Sequence, residues 1–535
     1  KADKMAAIVT DQFRILNAGN FVDSVTDTSN SYYVFVGLSN PTASGYGKSA
    51  SWDTATPNPT DNFDYQGFVG DNMSFGKKVT SANVRRLARR VNWARGTKYE
   101  IYRHDYSLSN LSPITGSSRL YDANYYVMNS DYKVYICIDN GSSGISTTGN
   151  ASLNEPTITD LEPSKAGDGG DGYIWKYLFT VTPSDIIKFD STDYISLPAN
   201  WATSTDAQVT SVRNNGDSTV NENQIKHVYI KAQGTGYSTG SWEVNILGDG
   251  SGGKVVVDVN SSGNITNAVV SAGGKGYSFA SVDLGPIRPT GVGNAAANLI
   301  PIIPPAKGHG NDIYSELGAD KILVYARFDD STRDFPTDTK FGQIGIVKNP
   351  TTIGTASSIF DQNQYSSLGA FKFSAVNGED TTKPAIGERI TQVTSEGTAQ
   401  GYISSYDRET KVLKYTQDRT LFLNPDTTKS GTEDHSGIST SGNVLSFFTA
   451  DSSSAATVNN ILSSDGFTGT IDRNFSGINT NPTGTKLISL GIEFSNGIAS
   501  PEINKGSGEI IYIDNRPEIT RNSRQKEDVK IILEF

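Results

Sequence analysis

Short runs rich in β-branched and aromatic residues dominate the chain. Examples are "YYVFVGL" (Tyr32 to Leu38), "KILVYARF" (Lys321 to Phe328) and "VKIILEF" (Val529 to Phe535), each bounded by Gly, Asn, Asp or Pro. That pattern predicts strands. In "YKVYICID", Val134, Ile136 and Ile138 alternate with Lys133, Tyr135 and Cys137, which predicts a half-buried strand. Helical spacing is rare. In "SANVRRLARRVNW", Val84, Leu87, Ala88 and Val91 recur at helical intervals while Arg85, Arg86, Arg89 and Arg90 fall on the opposite face. This predicts a helix capped by Ser81. A second helix is expected after Thr10.

The middle of the chain contains a repeat. The stretch beginning at Ile225 matches the one beginning at Ile265: Gly234 with Gly274, Gly236 with Gly276, Tyr237 with Tyr277, Ser238 with Ser278. Each copy reads strand, Gly-x-Gly-Tyr turn, strand, Gly-rich turn, strand. Neither carries enough apolar surface to stand alone, so the pair is expected to pack as one small β domain. Pro301, Pro304 and Pro305 read as a linker closing it. A second separable unit is expected from about Thr355 to Thr485. Its strand-like runs are split by "SEGTAQG" and "DRETK", and a polar loop, "NPDTTKSGTEDHSGISTSGN", follows them. It reads as a small barrel or sandwich. The expected organisation is a discontinuous core (1–205, 306–354 and 486–535) carrying two insertions (206–305 and 355–485). The fold class is mainly β with a minor α+β character: a multi-domain β-sandwich core, few helices, and two inserted small β domains.

Length supports this division, since 535 residues correspond to about three to four domains. With 46 basic and 57 acidic residues the net charge is −11, which disfavours sequence-independent nucleic-acid binding and attraction to anionic membranes. No apolar run approaches the ~20 residues that span a bilayer. The first apolar patch, broken by Asp11 and Arg14, does not read as a signal peptide. The lone Cys137 precludes intrachain disulfides and reads as a packed thiol, consistent with folding in a cytoplasm.

Candidate chemistry is sparse. "GDGSGGKV" (Gly248 to Val255) has phosphate-loop spacing, but Val255 stands where a magnesium-binding hydroxyl belongs and a strand follows, so it reads as a turn. "AGDGGDGYIWKYLF" places Asp168 and Asp171 together without the acids a calcium loop needs, and reads as a turn entering an aromatic strand. His104, His227, His309 and His435 have no metal-ligand spacing, and "GHGND" around His309 reads as a linker. No catalytic, cofactor or metal residue is assigned. The arginines at 85, 86, 89 and 90 are expected to be solvated or to contact a protein partner, with phosphate contact as the weaker alternative.

Four blocks then carry a resemblance. "SGEIIYIDNRPEI" (Ser507 to Ile519) followed by "DVKIILEF", "AIVTDQFR" (Ala7 to Arg14), "GDGYIWKYLF" (Gly170 to Phe179) and "FGQIGIVKNP" (Phe341 to Pro350) resemble a dimeric baseplate wedge subunit of T-even-type contractile-tailed bacteriophages. "RRVNWARGTKYEIY" matches more weakly. The blocks span the discontinuous core; the two insertions lie outside the resemblance. The residues that carry it are Gly508, Glu509, Tyr512, Asn515, Arg516 and Pro517 at the end, and Gly172, Tyr173, Trp175 and Tyr177 in the central aromatic strand. The resemblance implies a non-enzymatic homodimer in the virion tail baseplate, assembled in the bacterial cytoplasm. Its implied partners are other wedge proteins, with no nucleic acid, membrane, cofactor or small-molecule substrate. Pro517 is expected to end its strand, Asp514 and Asn515 to form a turn, and Arg516 to pair with a carboxylate. Two rival readings are a tail-fibre or adhesin-type glycan binder and a polysaccharide-degrading enzyme. The second fits poorly, because stacked β rungs recur at about 20 to 30 residues.

Overall fold

The computed structural model describes residues 9–37, 69–70, 72–142, 148–168, 170–216, 222–288, 296–329, 340–355, 357–394, 397–417, 447, 459–521 and 525–535. It is mainly β, with 44% strand against 11% helix. The chain divides into two compact units: Lys1–Val22 with Val84–Leu323 and Ile531–Phe535, and Asp23–Asn83 with Val324–Lys530.

The first unit is organised around an antiparallel sheet with strand order Tyr126–Met128, Lys133–Asn140, Tyr173–Thr180, Ser164–Lys165. Tyr126, Tyr135, Tyr173, Trp175 and Phe179 belong to one aromatic core that covers both faces of Lys133–Asn140, since Tyr126 stands opposite Ile136 and Val127 opposite Tyr135, and Cys137 is also fully buried. Burial pushes the Cys137 thiol well above its usual pKa, as a packed thiol requires. The helix expected after Thr10 is present as Asp11–Thr26. Thr10 Oγ1 accepts the Phe13 amide at its start, and Asp11 in the first turn complements the helix dipole.

The repeat within this unit has reciprocal pairing. The first strand of copy one, Val228–Ala232, pairs with the last strand of copy two, Asn298–Pro301. The first strand of copy two, Ile265–Lys275, pairs with the last of copy one, Ser251–Val259. The middle strands, Gly240–Gly248 and Ala280–Val282, pair with each other. Each copy thus supplies the hydrogen-bond partners of the other around a shared cluster that includes Val255, Val257, Tyr237 and Tyr277. The matched glycines hold matched left-handed turns: Gly234 and Gly274 at φ 63° and 60°, Gly236 and Gly276 at 80° and 74°. Those turns bury the two tyrosines. The Tyr277 hydroxyl accepts the Gly253 amide of copy one, and the Tyr237 hydroxyl accepts the Ala297 amide of copy two. Gly248 ends one strand and Ser251 begins the next, so the phosphate-loop spacing belongs to a hairpin connection. The chain leaving the repeat is packed: Ile302 and Ile303 are buried where a linker was expected.

The second unit holds a five-stranded antiparallel sheet, in order Gln364–Ser366, Met73–Val79, Tyr32–Gly37, Lys340–Lys348, Glu509–Thr520. It also holds a closed barrel running Val412–Thr416, Gly397–Asp407, Arg389–Thr394, Asn460–Ser463, Thr468–Ile471, Gly369–Asn377 and back to Val412–Thr416. Phe371, Phe373, Tyr415 and Phe467 fill the barrel. The polar loop after it, with His435, lies outside the described residues.

Candidate functional site

The Arg-rich segment corrects its sequence reading. Ser81–Asn83 is a single 3-10 turn, and Val84–Arg89 is a strand paired with Tyr194–Ser196. A two-residue alternation places arginines on both faces of that strand, and both faces are covered. Each arginine head finds an internal partner. Arg85 Nη2 lies 3.0 Å from Asp185. Arg86 stacks over the Tyr314 ring at 4.1 Å. Arg89 donates to Asn124 Oδ1 and to the Ala123 carbonyl, both at 2.8 Å. Arg90 meets Asp190 at 2.5 Å. Helical and strand periods were both compatible with the doublets, and the tertiary partners decide between them.

Arg89 and Arg90 open onto a cleft of about 540 Å³ within the first unit. The Asp11–Thr26 helix supplies Asp11 and Arg14 to its wall; the chain around 119–122 supplies Arg119, Tyr121 and Asp122; Asp320, Lys321 and Glu534 complete it. Charges of the two signs neutralise one another there. Arg119 pairs with Asp11 and lies 3.7 Å from Asp122. Lys321 lies 2.9 Å from Asp320 and 3.1 Å from Glu534. Burial alone pulls the Lys321 ammonium down, but the two carboxylates outweigh it and raise its pKa. The Arg119–Asp11 pair ties the start of the helix to the unit, and none of these pairs supplies large stability, because they are partly exposed. Arg14 and Asp193 have no side-chain partner among the described residues. Among the described residues, no group of three or more His, Cys, Asp or Glu is placed to hold a metal ion.

The residues carried by the resemblance fall in two places. Tyr173, Trp175 and Tyr177 lie on the strand at the centre of the aromatic core, and Gly172 (φ 81°) turns the chain into it. Asp171 organises that turn, its carboxylate accepting the amides of Leu153 at 2.7 Å and Tyr173 at 3.1 Å. Gly508 (φ 83°) leads into Glu509–Thr520, the edge strand of the five-stranded sheet. Tyr512 stands opposite Ile346, and Asn515 opposite Gln343. Asp514 and Asn515 are therefore in the strand, not in a turn. Pro517 does not end the strand either. The ladder jumps from Gln343–Asn515 to Phe341–Ile519, so Pro517 sits in a bulge on an edge strand, where its missing N–H leaves no partner unsatisfied. The Arg516 guanidinium does pair with a carboxylate, Asp514, at 2.7 Å.

Three buried polar groups escaped the sequence reading. The fully buried Glu100 accepts amides from Thr115 at 2.9 Å and Asn124 at 2.7 Å. His309, read as a linker residue, is buried with its Nδ1 2.5 Å from Glu316. Lys176, inside the aromatic strand, donates to the Leu161 carbonyl at 2.6 Å and to Asn215 at 2.8 Å. The partners of Glu100 and Lys176 lie 15 to 39 residues away, and that of His309, Glu316, is seven residues away on the far side of a turn, so no local spacing marks them.

Burial, helped by nearby Lys226 and opposed by Glu162 and Glu316, pushes Lys176 down to about 8 from 10.5. The folded value lies below the unfolded one, so Lys176 contributes stability that is present at high pH and lost as pH falls through about 8. Taken alone, Lys176 is expected to add about 2 kcal/mol to the first unit between about pH 8 and 10, while tyrosine ionisation near pH 10 acts in the opposite direction and alike in wild type and variant. Lys176→Met should flatten that rise. Urea denaturation against pH measures it; identical slopes in both proteins would refute the assignment.

No protein-family model matches this chain, and no curated protein matches it.

Proposed function

We propose that the chain is a structural component of a phage tail baseplate wedge, a homodimeric building block that links other wedge proteins during assembly and contraction. The observation that carries this reading is the setting of the C-terminal block. Among the described residues Glu509–Thr520 forms the outer edge of its sheet, with Arg516 and Pro517 exposed. An edge strand offers a row of main-chain groups to a neighbouring chain, and its bulge and charges restrict which neighbour can add. The four blocks in chain order support the same reading.

The alternative, a tail-fibre or adhesin-type glycan binder, is favoured by the exposure of Trp242 (41%) and Phe279 (63%) on the repeat, since aromatic faces suit sugar rings. Immunogold microscopy of intact virions, with antibody against residues 225–303, separates the two. Gold at the tail-end plate is the expected result. Gold along the fibres would transfer the assignment to the adhesin. Unlabelled particles together with a negative blot of denatured virion protein would sink both.

A further inference from the structure

The Asp11–Thr26 helix is apolar on two opposite sides. Ile15, Ala18 and Val25 are buried on one side. On the other side Phe13 and Leu16 are 52% and 58% exposed and the exposed Asn20 follows them, while Val9, 49% exposed, stands two residues before the helix. A surface helix normally presents polar residues there. Phe13, Leu16 and Asn20 succeed one another at spacings of three and four, the a-d-a succession of a coiled-coil seam, and Val9 precedes Phe13 by the four residues that a d position takes.

We propose that this stripe is the surface through which two copies of the chain associate, the two helices pairing side by side and parallel about a two-fold axis. The inference rests on the homodimer proposed above and names its contact. In such a pairing each seam residue meets its own copy, so the seam and its flanks must carry no like charges. Val9, Phe13, Leu16 and Asn20 satisfy that, as do the flanking Gln12 and Asn17. The charged Asp11 and Arg14 are turned instead toward the cleft, among its ion pairs. Asn20 falls at an a position, where a buried amide pair selects two strands in parallel register. Its side chain has no hydrogen-bond partner among the described residues, so it is free to meet its copy. Asp23, next at a d position, would oppose its own charge and ends the seam after Asn20. A lipid surface is a poorer occupant, because it would favour basic residues flanking the stripe and the flanks here are neutral.

The test is disulfide trapping in the full chain. Cys137 is buried and its thiol is held protonated, so the native chain carries no competing thiol. Leu16→Cys places a thiol at a d layer, where two copies bring their Cβ atoms within bonding reach. Leu108→Cys, at an 89% exposed position on a loop, is the control. Both residues are on the surface, so neither change threatens the fold. Light scattering on the native protein should give twice 57.4 kDa. On oxidation, Leu16→Cys should run as a covalent dimer and Leu108→Cys as a monomer. A dimeric native mass without cross-linking of Leu16→Cys would overturn the seam and leave the homodimer standing. Equal cross-linking of the two variants would also overturn it. A monomeric native mass would overturn both the homodimer and the seam.

Discussion

Arg521→Ala should destabilise the second unit by about 3–5 kcal/mol, the cost of breaking a buried ion pair from one side. Arg521 is fully buried. Its Nε lies 2.7 Å from Glu527, and its Nη2 donates to the Gln525 carbonyl at 2.7 Å. Removing the guanidinium strands the Glu527 carboxylate, only 10% exposed, without its counter-charge. The double variant Arg521→Met with Glu527→Gln removes both charges and should recover part of the loss, since two neutral groups cost less to bury than one orphaned ion. Urea denaturation followed by tryptophan-independent circular dichroism reads both. A loss below about 1 kcal/mol for Arg521→Ala would mean that this pair is not what holds the chain between the last two long strands.

Trp175→Ala should cost the first unit a similar amount, about 3–5 kcal/mol. The indole is fully buried, stacked on Tyr173 at 5.3 Å and edge-on to Tyr99 at 5.8 Å. Trp175→Phe should cost much less. The indole N–H has no acceptor among the described residues, so phenylalanine removes an unsatisfied donor along with some packing. Comparable losses for the two variants would show that the indole edge is hydrogen-bonded after all. Because Trp175 belongs to one of the four blocks that carry the resemblance, the pair of variants also separates a packing role from a surface one. A core residue loses stability without first losing partner binding in the cold.

The strand-forming runs were legible because alternation is a local property. Lys133 to Ile138 reads as a strand from six letters, and the structure pairs it there, but it is not half-buried: Tyr135 and Cys137 are as fully buried as Val134 and Ile136, because the rest of the unit covers both faces. The repeat was legible for a related reason: a left-handed turn that only glycine fills cheaply marks the chain twice, at Gly234 and Gly274. The reciprocal pairing of the two copies was not legible, because which strand adds to which depends on where the turns send the chain. The arginine strand failed for the opposite cause. Val84, Leu87, Ala88 and Val91 fit a helix in isolation, and only Asp185, Tyr314, Asn124 and Asp190, all remote in sequence, make a strand with arginine on both faces tolerable.

The candidate site divides in the same way. Arg516 and Pro517 could be singled out from the chain, but their places, one in an ion pair and one in an edge bulge, follow from the register against Lys340–Lys348. The cleft gathers residues from 11 to 534 and has no sequence signature at all. By itself the sequence determined the mainly-β class, the helix after Thr10, the repeat and the acidic charge, because spacing, turn chemistry and composition are carried by neighbouring residues. Only the tertiary structure decided which polar groups are buried and paired. Glu100 and Lys176 are held by partners the chain must first fold to reach, and even the nearby partners of His309 and Arg521 do not reveal burial, because an ion's cost or benefit depends on exclusion of water by the whole unit.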